Sequence, residues 1–165
     1  MALRNILREG DPTLNKKCRE VTVFNERLWT LLDDMRETLL GANGVGLAAP
    51  QVGVLRRAVL VIETNGEEDE VIELINPVII GKDGEQTGPE GCLSVPGVYG
   101  VVTRPDFVTV HAFDRYGKAF EISGERLTAR AFCHELDHLD GHLFTERAER
   151  FLTDEELKGT AEEED

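Results

Sequence analysis

The sequence predicts a single domain that mixes helices and strands. Apolar residues recur at helical spacing near both ends of the chain, and strand-like apolar runs lie between them. The length of 165 residues, with 41% hydrophobic and 30% charged residues, suits one soluble domain with its own core. We expect this domain to cover residues 1–150 and a short acidic tail to cover residues 151–165.

The first predicted helix covers residues 25–41. Asn25 can cap its N-terminus, and Gly41 can end it. The apolar positions between them follow a helical period: Leu28, Leu31, Leu32, Met35 and Leu39. A loop of small residues follows, from position 41 to position 53.

Four strands and a second helix are predicted after this loop. A hairpin turn at 114–117 joins the last two strands. The strands cover residues 57–63, 71–80, 107–113 and 118–122. The second helix covers residues 125–140, with Ser123 or Gly124 as its N-cap and Gly141 at its end. One edge of this helix is expected to face solvent: Arg126, Arg130, Asp137 and Asp140.

The charge balance argues against a general nucleic-acid-binding protein. The net charge is −14, and affinity for phosphate comes mainly from Lys and Arg. Residues 154–165 hold seven carboxylates and one lysine, so this tail is expected to be solvated. No apolar run has the length of a membrane span, and charges interrupt the N-terminal residues, which argues against a signal peptide. Three cysteines, an odd number, favour the reducing cytoplasm over a disulfide framework.

The most informative segment of the second helix is His134-Glu135-Leu136-Asp137-His138. Residues at i and i+4 of a helix project from the same face, so the two imidazoles can share one metal ion. Glu135 lies beside them as a base for water. Leu127 and Ala131 precede them on the same apolar stripe of the helix, so these side chains are expected inside the protein, where they need a metal and hydrogen bonds to be tolerated.

The motif supplies two of the three protein ligands that catalytic sites of this kind use, so a third has to come from elsewhere in the chain. Phe144 occupies the position at which one related motif has a third histidine, and His142, beyond the helix end, is expected in solvent. Glu155 and Glu156 lie in the acidic tail, which is a poor place for a rigid site.

The three cysteines are the remaining candidates. Cys133 projects about 100° away from His134 on the helix, and Cys18 has no neighbouring motif. Cys92 lies in a segment flanked by glycine, where backbone can approach a ligand closely. A set of one cysteine and two histidines suits ferrous iron or zinc.

The glycine-rich loop resembles a dinucleotide fingerprint only superficially. That fingerprint follows a strand and opens a helix, whereas here a helix precedes residues 44–49 and Pro50 follows them. A loop of small residues also allows an extended segment to lie against its backbone. Gln51 then supplies an amide donor of the kind that a tetrahedral oxyanion requires.

Three segments together resemble the signature motifs of bacterial peptide deformylases in content, order and spacing. They are GVGLAAPQ at 44–51, EGCLS at 90–94 and HELDHLDG at 134–141. The resemblance extends from the first helix to about residue 144. It implies an α+β fold in which mixed or antiparallel sheets wrap a central metal-binding helix. It also implies a hydrolase that removes the formyl group from the N-terminal formylmethionine of new polypeptides and releases formate.

The same resemblance implies roles for individual residues. The metal ligands would be Cys92, His134 and His138, and the ion would be ferrous iron, with zinc, nickel or cobalt as alternatives. Glu135 would be the general acid and base, and the oxyanion donors would be Gln51 and the backbone N–H of Leu93. From their proximity to the motif residues alone, substrate contacts are expected from Val45, Gly46 and Leu93, with Ala131 as a further wall. Glu90 and Arg104 are expected to form an ion pair that fixes the Cys92 segment.

The resemblance also carries expectations about partners. The substrates would be N-formylmethionyl nascent peptides at the ribosome, and the protein would act as a cytoplasmic monomer with no membrane contact and no nucleic-acid motif. The charge of the acidic tail argues against a contact with ribosomal RNA. Two other functions share part of the pattern: an endopeptidase of the HExxH class, and a non-catalytic metal or redox sensor.

Overall fold

A computed structural model describes residues 2–63 and 68–158 of the chain. The helices are α1 (Glu26–Ala42) and α2 (Leu127–Leu139). The strands are β1 (Gly46–Ala48), β2 (Ala58–Glu63), β3 (Glu70–Asp83), β4 (Gln86–Cys92), β5 (Val95–Arg104), β6 (Phe107–Phe113), β7 (Ala119–Glu125) and β8 (Arg150–Phe151). Short 3-10 turns occur at Pro12–Asn15, Ala49–Val52 and Phe144–Glu146.

The strands form two antiparallel sheets. One has five strands in the order β1-β2-β3-β6-β7, and the other has three in the order β4-β5-β8. Helix α2 contacts strands of both sheets, so it lies between them. The predicted α+β fold with sheets around the motif-bearing helix is therefore confirmed.

Helix α1 forms for the reasons that the sequence indicates. The side chain of Asn25 accepts a hydrogen bond from the Leu28 N–H and caps the first turn. The apolar face is buried against β2 and neighbouring residues, and each fully buried leucine contributes about 1.5–3 kcal/mol. The predicted end at Gly41 is wrong by one residue, because Asn43 adopts the left-handed conformation (φ 57°) that ends the helix after Ala42.

The start of α2 differs from the prediction. Ser123 and Gly124, the expected N-caps, lie in strand β7, which continues to Glu125. The chain then turns at Arg126, whose φ is 55°. A Cβ at position 124 would lie 2.5 Å from a methyl carbon of Thr128, so glycine allows the strand and the first helical turn to touch.

Strands β4 and β5 were not predicted, although they form the longest hairpin in the smaller sheet. Their sequence contains Gly88, Pro89, Gly91, Pro96 and Gly97, which are turn-formers rather than strand-formers. Proline is tolerated in β4 because this strand is at the edge of its sheet. The short β1 was likewise hidden within the small-residue loop.

The expected tail boundary falls within the smaller sheet. Phe151 pairs with Gly100, and residues 154–158 form a helical turn. The rest of the tail, residues 159–165, lies outside the described residues. No helix among the described residues is long and apolar enough to cross a membrane.

Candidate metal centre

Cys92, His134 and His138 come together at the centre of the molecule. Their nearest ligand atoms all lie within 4.8 Å of one another. The His138 Nε2 is 3.4 Å from the Cys92 Sγ and 3.3 Å from the His134 Nε2. Cys92 ends strand β4, and the two histidines lie one turn apart on α2, so the site joins the smaller sheet to the helix.

The chemistry of these atoms fits a metal ion. His134 donates its Nδ1–H to the Glu90 carboxylate at 2.8 Å, so Nε2 is the ring nitrogen that faces Cys92 and His138. A cation shared with a second imidazole and a thiol would take the place of the proton on this buried Nε2. Among the described residues, the buried Glu135 Oε1 and His138 Nδ1 have no hydrogen-bond partner, which indicates a site built for additional groups.

Glu90 connects the metal centre to two arginines. Its Oε2 accepts from His134 and from Arg104 Nη2 at 2.7 Å, and its Oε1 accepts from Arg104 Nε at 3.1 Å and Arg130 Nη1 at 2.9 Å. Arg104 also donates to Asp137 at 2.7 Å. The structure therefore contains the expected Glu90–Arg104 ion pair and joins it to His134, Arg130 and Asp137.

The pKa values of the buried groups are displaced in different directions. Burial by itself would lower the pKa of His134, but Glu135, Cys92 and Glu90 raise it well above its ordinary value. Burial lowers the pKa of His138, and the neighbouring His134 lowers it further. Burial raises the pKa of Glu135 to about 7. A carboxyl whose pKa is close to neutral pH can both accept and return a proton.

Two glycines of the small-residue loop make room for this site. A Cβ on Gly46 would lie 2.5 Å from the Glu135 Oε2, and a Cβ on Gly44 would lie 2.7 Å from the Leu93 side chain. The backbone of β1 thus passes directly beside Glu135. The exposed side chain of Val45 lies between these two glycines in the sequence.

Gln51 is fully buried beside the metal centre. Its Oε1 accepts from the Ala48 N–H at 2.9 Å, so its amide Nε2 points the other way. This Nε2 donates to the Ser94 Oγ at 3.0 Å and lies 3.6 Å from the Cys92 Sγ. Ser94 was not identified from the sequence, although it lies two residues after Cys92.

Most of the remaining expectations about the helix agree with the structure. His142 is half-exposed, and Cys133 and Cys18 are buried in the hydrophobic core. Phe144 stacks on His134 at a centroid distance of 6.1 Å, which explains why this position holds no ligand.

The predicted exposed edge of α2 is wrong at Arg130 and only partly confirmed at Asp137, whose side chain is 17% exposed, and the predicted apolar stripe is wrong at Leu127. Arg130 is buried, with only 7% of its surface exposed, because Glu90 lies within reach of its guanidinium. Leu127, expected on the apolar face, is 47% exposed.

Two surface cavities, of about 640 and 620 Å³, do not include the three candidate ligands. The candidate site is therefore identified by the chemistry of its donor atoms and not by the size of a cavity.

The fold and this centre indicate the class of protein: a hydrolase whose central helix carries two histidines and a glutamate at a candidate metal site. Residues 3–153 match the family model described as polypeptide deformylase. The peptide deformylase of Agathobacter rectalis is 55% identical over 162 residues, which is 98% of this chain and 100% of that protein. The chain belongs to the polypeptide deformylase family, and the resemblance inferred from the three motifs is confirmed.

Solved structures agree with this assignment. A peptide deformylase from Legionella pneumophila superposes with a TM-score of 0.84 at 43% identity, covering 98% of this chain and 92% of that one. The enzyme from Thermotoga maritima gives 0.84 at 36% identity, covering 90% of this chain and 99% of that one. The protein is a hydrolase that removes the formyl group from the N-terminal methionine of nascent peptides.

Proposed function

We propose that deformylation by this chain uses one divalent metal ion held by Cys92, His134 and His138, with Glu135 as the proton carrier. The observation that carries this proposal is the convergence of three ligand atoms within 4.8 Å, beside a buried and unpartnered oxygen of Glu135. When bound, the metal would supply Lewis acidity and lower the pKa of a water molecule. We propose ferrous iron as the native ion, with zinc, nickel and cobalt as substitutes that the same donor set accepts.

Glu135 performs the proton transfers. As a carboxylate it accepts a proton from the water that attacks the formyl carbon, and as a carboxylic acid it returns this proton to the leaving amine nitrogen. Formate and a free N-terminus are the products. A pKa of about 7 favours both steps at neutral pH, and the nearby backbone of Gly46 limits the space around the carboxyl.

Gln51 and the Leu93 N–H stabilise the oxyanion that forms during the attack. The Gln51 Nε2 is oriented towards Cys92 by the hydrogen bond that its own Oε1 accepts from Ala48. The hydroxyl of Ser94 holds this amide from the other side. Removal of one such donor typically costs about 2.7–4 kcal/mol of transition-state stabilisation.

The substrate lies between two strand edges. Strand β1 is at the edge of the larger sheet and begins at Gly46 beside Glu135, and β4 is at the edge of the smaller sheet and ends at Cys92. We propose that an extended formyl peptide lies along Gly46 and that the methionine side chain contacts Val45 and Leu93, with Ala131 below. Val45 is 42% exposed, so it has apolar surface available for contact with the methionine side chain.

We further propose that the enzyme acts in the cytoplasm, as a monomer, on chains still at the ribosome. The cysteines at positions 18, 92 and 133 are free thiols, which supports a reducing compartment. The reaction acts on the N-terminus of a polypeptide during its synthesis or shortly after.

The test is a formate-release assay on protein purified without oxygen and loaded with iron or nickel. A formyl-Met peptide is compared with an acetyl-Met peptide and with unfolded casein. We expect release from the first substrate alone, and loss of this activity with retained metal in Glu135→Ala. The matched control is Glu121→Ala, which removes an exposed carboxylate on β7 and should leave the rate unchanged.

The other outcomes identify the competing functions. Cleavage of casein without formate release would favour an endopeptidase. One equivalent of bound metal with no activity on any of the three substrates would favour a sensor, for which Glu135 is dispensable.

A further inference from the structure

Arg130 is the residue that the sequence placed in solvent and the structure places inside. It lies on α2 one turn before His134, and only 8% of its side chain is exposed. Its Nη1 donates to the Glu90 Oε1 at 2.9 Å. A buried guanidinium is costly to desolvate, so this position has to be explained by what it binds.

Glu90 is held by three partners that divide its two oxygens. Arg130 binds Oε1, His134 binds Oε2, and Arg104 spans both oxygens. Arg104 shares its charge with a second carboxylate, that of Asp137. Among the described residues, Arg130 is the arginine that pairs with Glu90 and with no other carboxylate.

This arrangement fixes the direction in which Glu90 faces His134. With Oε1 held by Arg130 from the helix side, Oε2 is left in line with the His134 Nδ1–H. That hydrogen bond determines which imidazole nitrogen carries the proton and how the ring is oriented. Arg130 therefore acts on His134 through one intermediate group.

We propose that Arg130 is a positioning residue for the metal ligand His134, acting through the Glu90 carboxylate. This inference rests on the proposed role of His134 as a ligand. Groups in this relation to a metal ligand typically change metal affinity by about 10–100-fold when they are removed. Arg130 neither touches the ligand atoms nor moves a proton in the reaction.

The test is the rate at which zinc-loaded protein releases its metal to an excess of chelator. We expect Arg130→Met to release zinc about 10-fold or more faster than the unaltered chain. The matched control is Arg126→Met, at the residue that directly precedes α2. The Arg126 side chain is 77% exposed, so this change should leave the rate of zinc release unchanged. Equal rates for Arg130→Met and Arg126→Met would overturn the proposal.

Two further measurements separate positioning from general damage to the fold. In a Glu90→Gln background, Arg130→Met should change zinc release by less than about 2-fold, because its intermediate group is already altered. The proton NMR resonance of the His134 Nδ1–H in zinc-loaded protein should shift in Arg130→Met and not in Arg126→Met. A full 10-fold effect in the Glu90→Gln background, or an unmoved resonance, would contradict the proposal.

A third variant covers the case in which Arg130→Met does not fold. Arg130→Lys keeps the positive charge but loses the planar guanidinium. We expect its rate of zinc release to lie between that of the unaltered chain and that of Arg130→Met. Release at the unaltered rate would overturn the proposal. The unaltered chain and Arg126→Met must bind one zinc and release formate in every case, since failure there would contradict the proposed function instead.

Discussion

Arg104 and Arg115 are each bound between two carboxylates, but in different surroundings. Arg104 bridges Glu90 and Asp137 in the interior, and 4% of its side chain is exposed. Arg115, in the turn between β6 and β7, bridges Glu73 of β3 and Asp33 of α1, and 22% of its side chain is exposed. The hydrogen-bond distances are similar, at 2.6 to 3.1 Å.

The Arg104 and Arg115 networks differ in their burial and in the part of the protein that each one contacts. Charges in the interior are expensive to desolvate, so the Arg104 network persists only because its carboxylates and guanidiniums are paired. One end of it is the proposed metal ligand His134. The Arg115 network ties a surface turn to α1, where the Trp29 indole also donates to the Arg115 carbonyl at 2.7 Å. The same chemical arrangement thus orders a reactive centre in one place and closes the fold in the other.

The largest effect is expected from Arg104→Met. This change leaves the buried Glu90 carboxylate with Arg130 as its arginine partner. It also removes the ion pair that joins Asp137 to the interior network. Breaking a buried pair in this way costs about 3–5 kcal/mol of unfolding free energy. Denaturant unfolding of the metal-loaded protein measures the loss. A loss no greater than that of Arg115→Met would show that burial does not distinguish the two networks.

Glu90→Gln tests the same network through its pH dependence. Burial by itself would raise the pKa of Glu90, but hydrogen bonds from His134 and Arg104 hold it at about 2. A carboxylate with a lowered pKa stabilises the fold above its unfolded pKa, and this contribution is lost as the pH falls through about 4.5 towards 2. The unfolding free energy of the unaltered chain should therefore exceed that of Glu90→Gln by about 1–3 kcal/mol at pH 6. This difference in unfolding free energy should narrow below pH 4.5.

The measurement uses metal-free protein, so that loss of the ion does not contribute to the acid limb. Glu73→Gln is the matched control from the Arg115 network, where the carboxylate is also paired with an arginine. A gap between the unaltered chain and Glu90→Gln that stays constant down to pH 3 would contradict the assignment of a charged, hydrogen-bonded Glu90.

The sequence predicts the chemistry of the site better than its surroundings. Spacing on one helix brings His134, Glu135 and His138 to one face, because helical geometry is local. Cys92 was one of several candidates until three motifs were considered together. Its approach to the helix depends on strands β4 and β5, whose glycines and prolines give no strand signal of their own.

Arg130 shows where sequence reasoning stops. On a helix diagram it belongs to the polar edge, and nothing in the neighbouring residues indicates otherwise. Its burial follows from Glu90, which is forty positions away and on another element. A pairing between such distant residues is a property of the tertiary fold, so only the structure could reveal it.

A smaller effect is expected from Arg115→Met. Its two carboxylate partners are partly exposed, and exposed ion pairs contribute about 0.2–1 kcal/mol each. We expect a total loss of about 1 kcal/mol that shrinks when salt is added, and a formate-release rate within about 2-fold of the unaltered chain. Denaturant unfolding at low and high salt, together with the formyl-Met assay, checks both parts. A large loss of activity would mean that the turn is coupled to the site.

Arg147→Ala should have the smallest effect, and it separates burial from partner identity. Arg147 donates to Asp137 at 2.7 and 3.0 Å, so it shares this carboxylate with Arg104, yet half of its side chain is exposed. Because water replaces a lost exposed partner, we expect a loss of about 0.5 kcal/mol and an unchanged rate of zinc release. Unfolding and chelator assays on Arg147→Ala and Arg104→Met provide the comparison. If both variants lost metal equally fast, the shared Asp137, rather than the buried arginine, would be the link to His134.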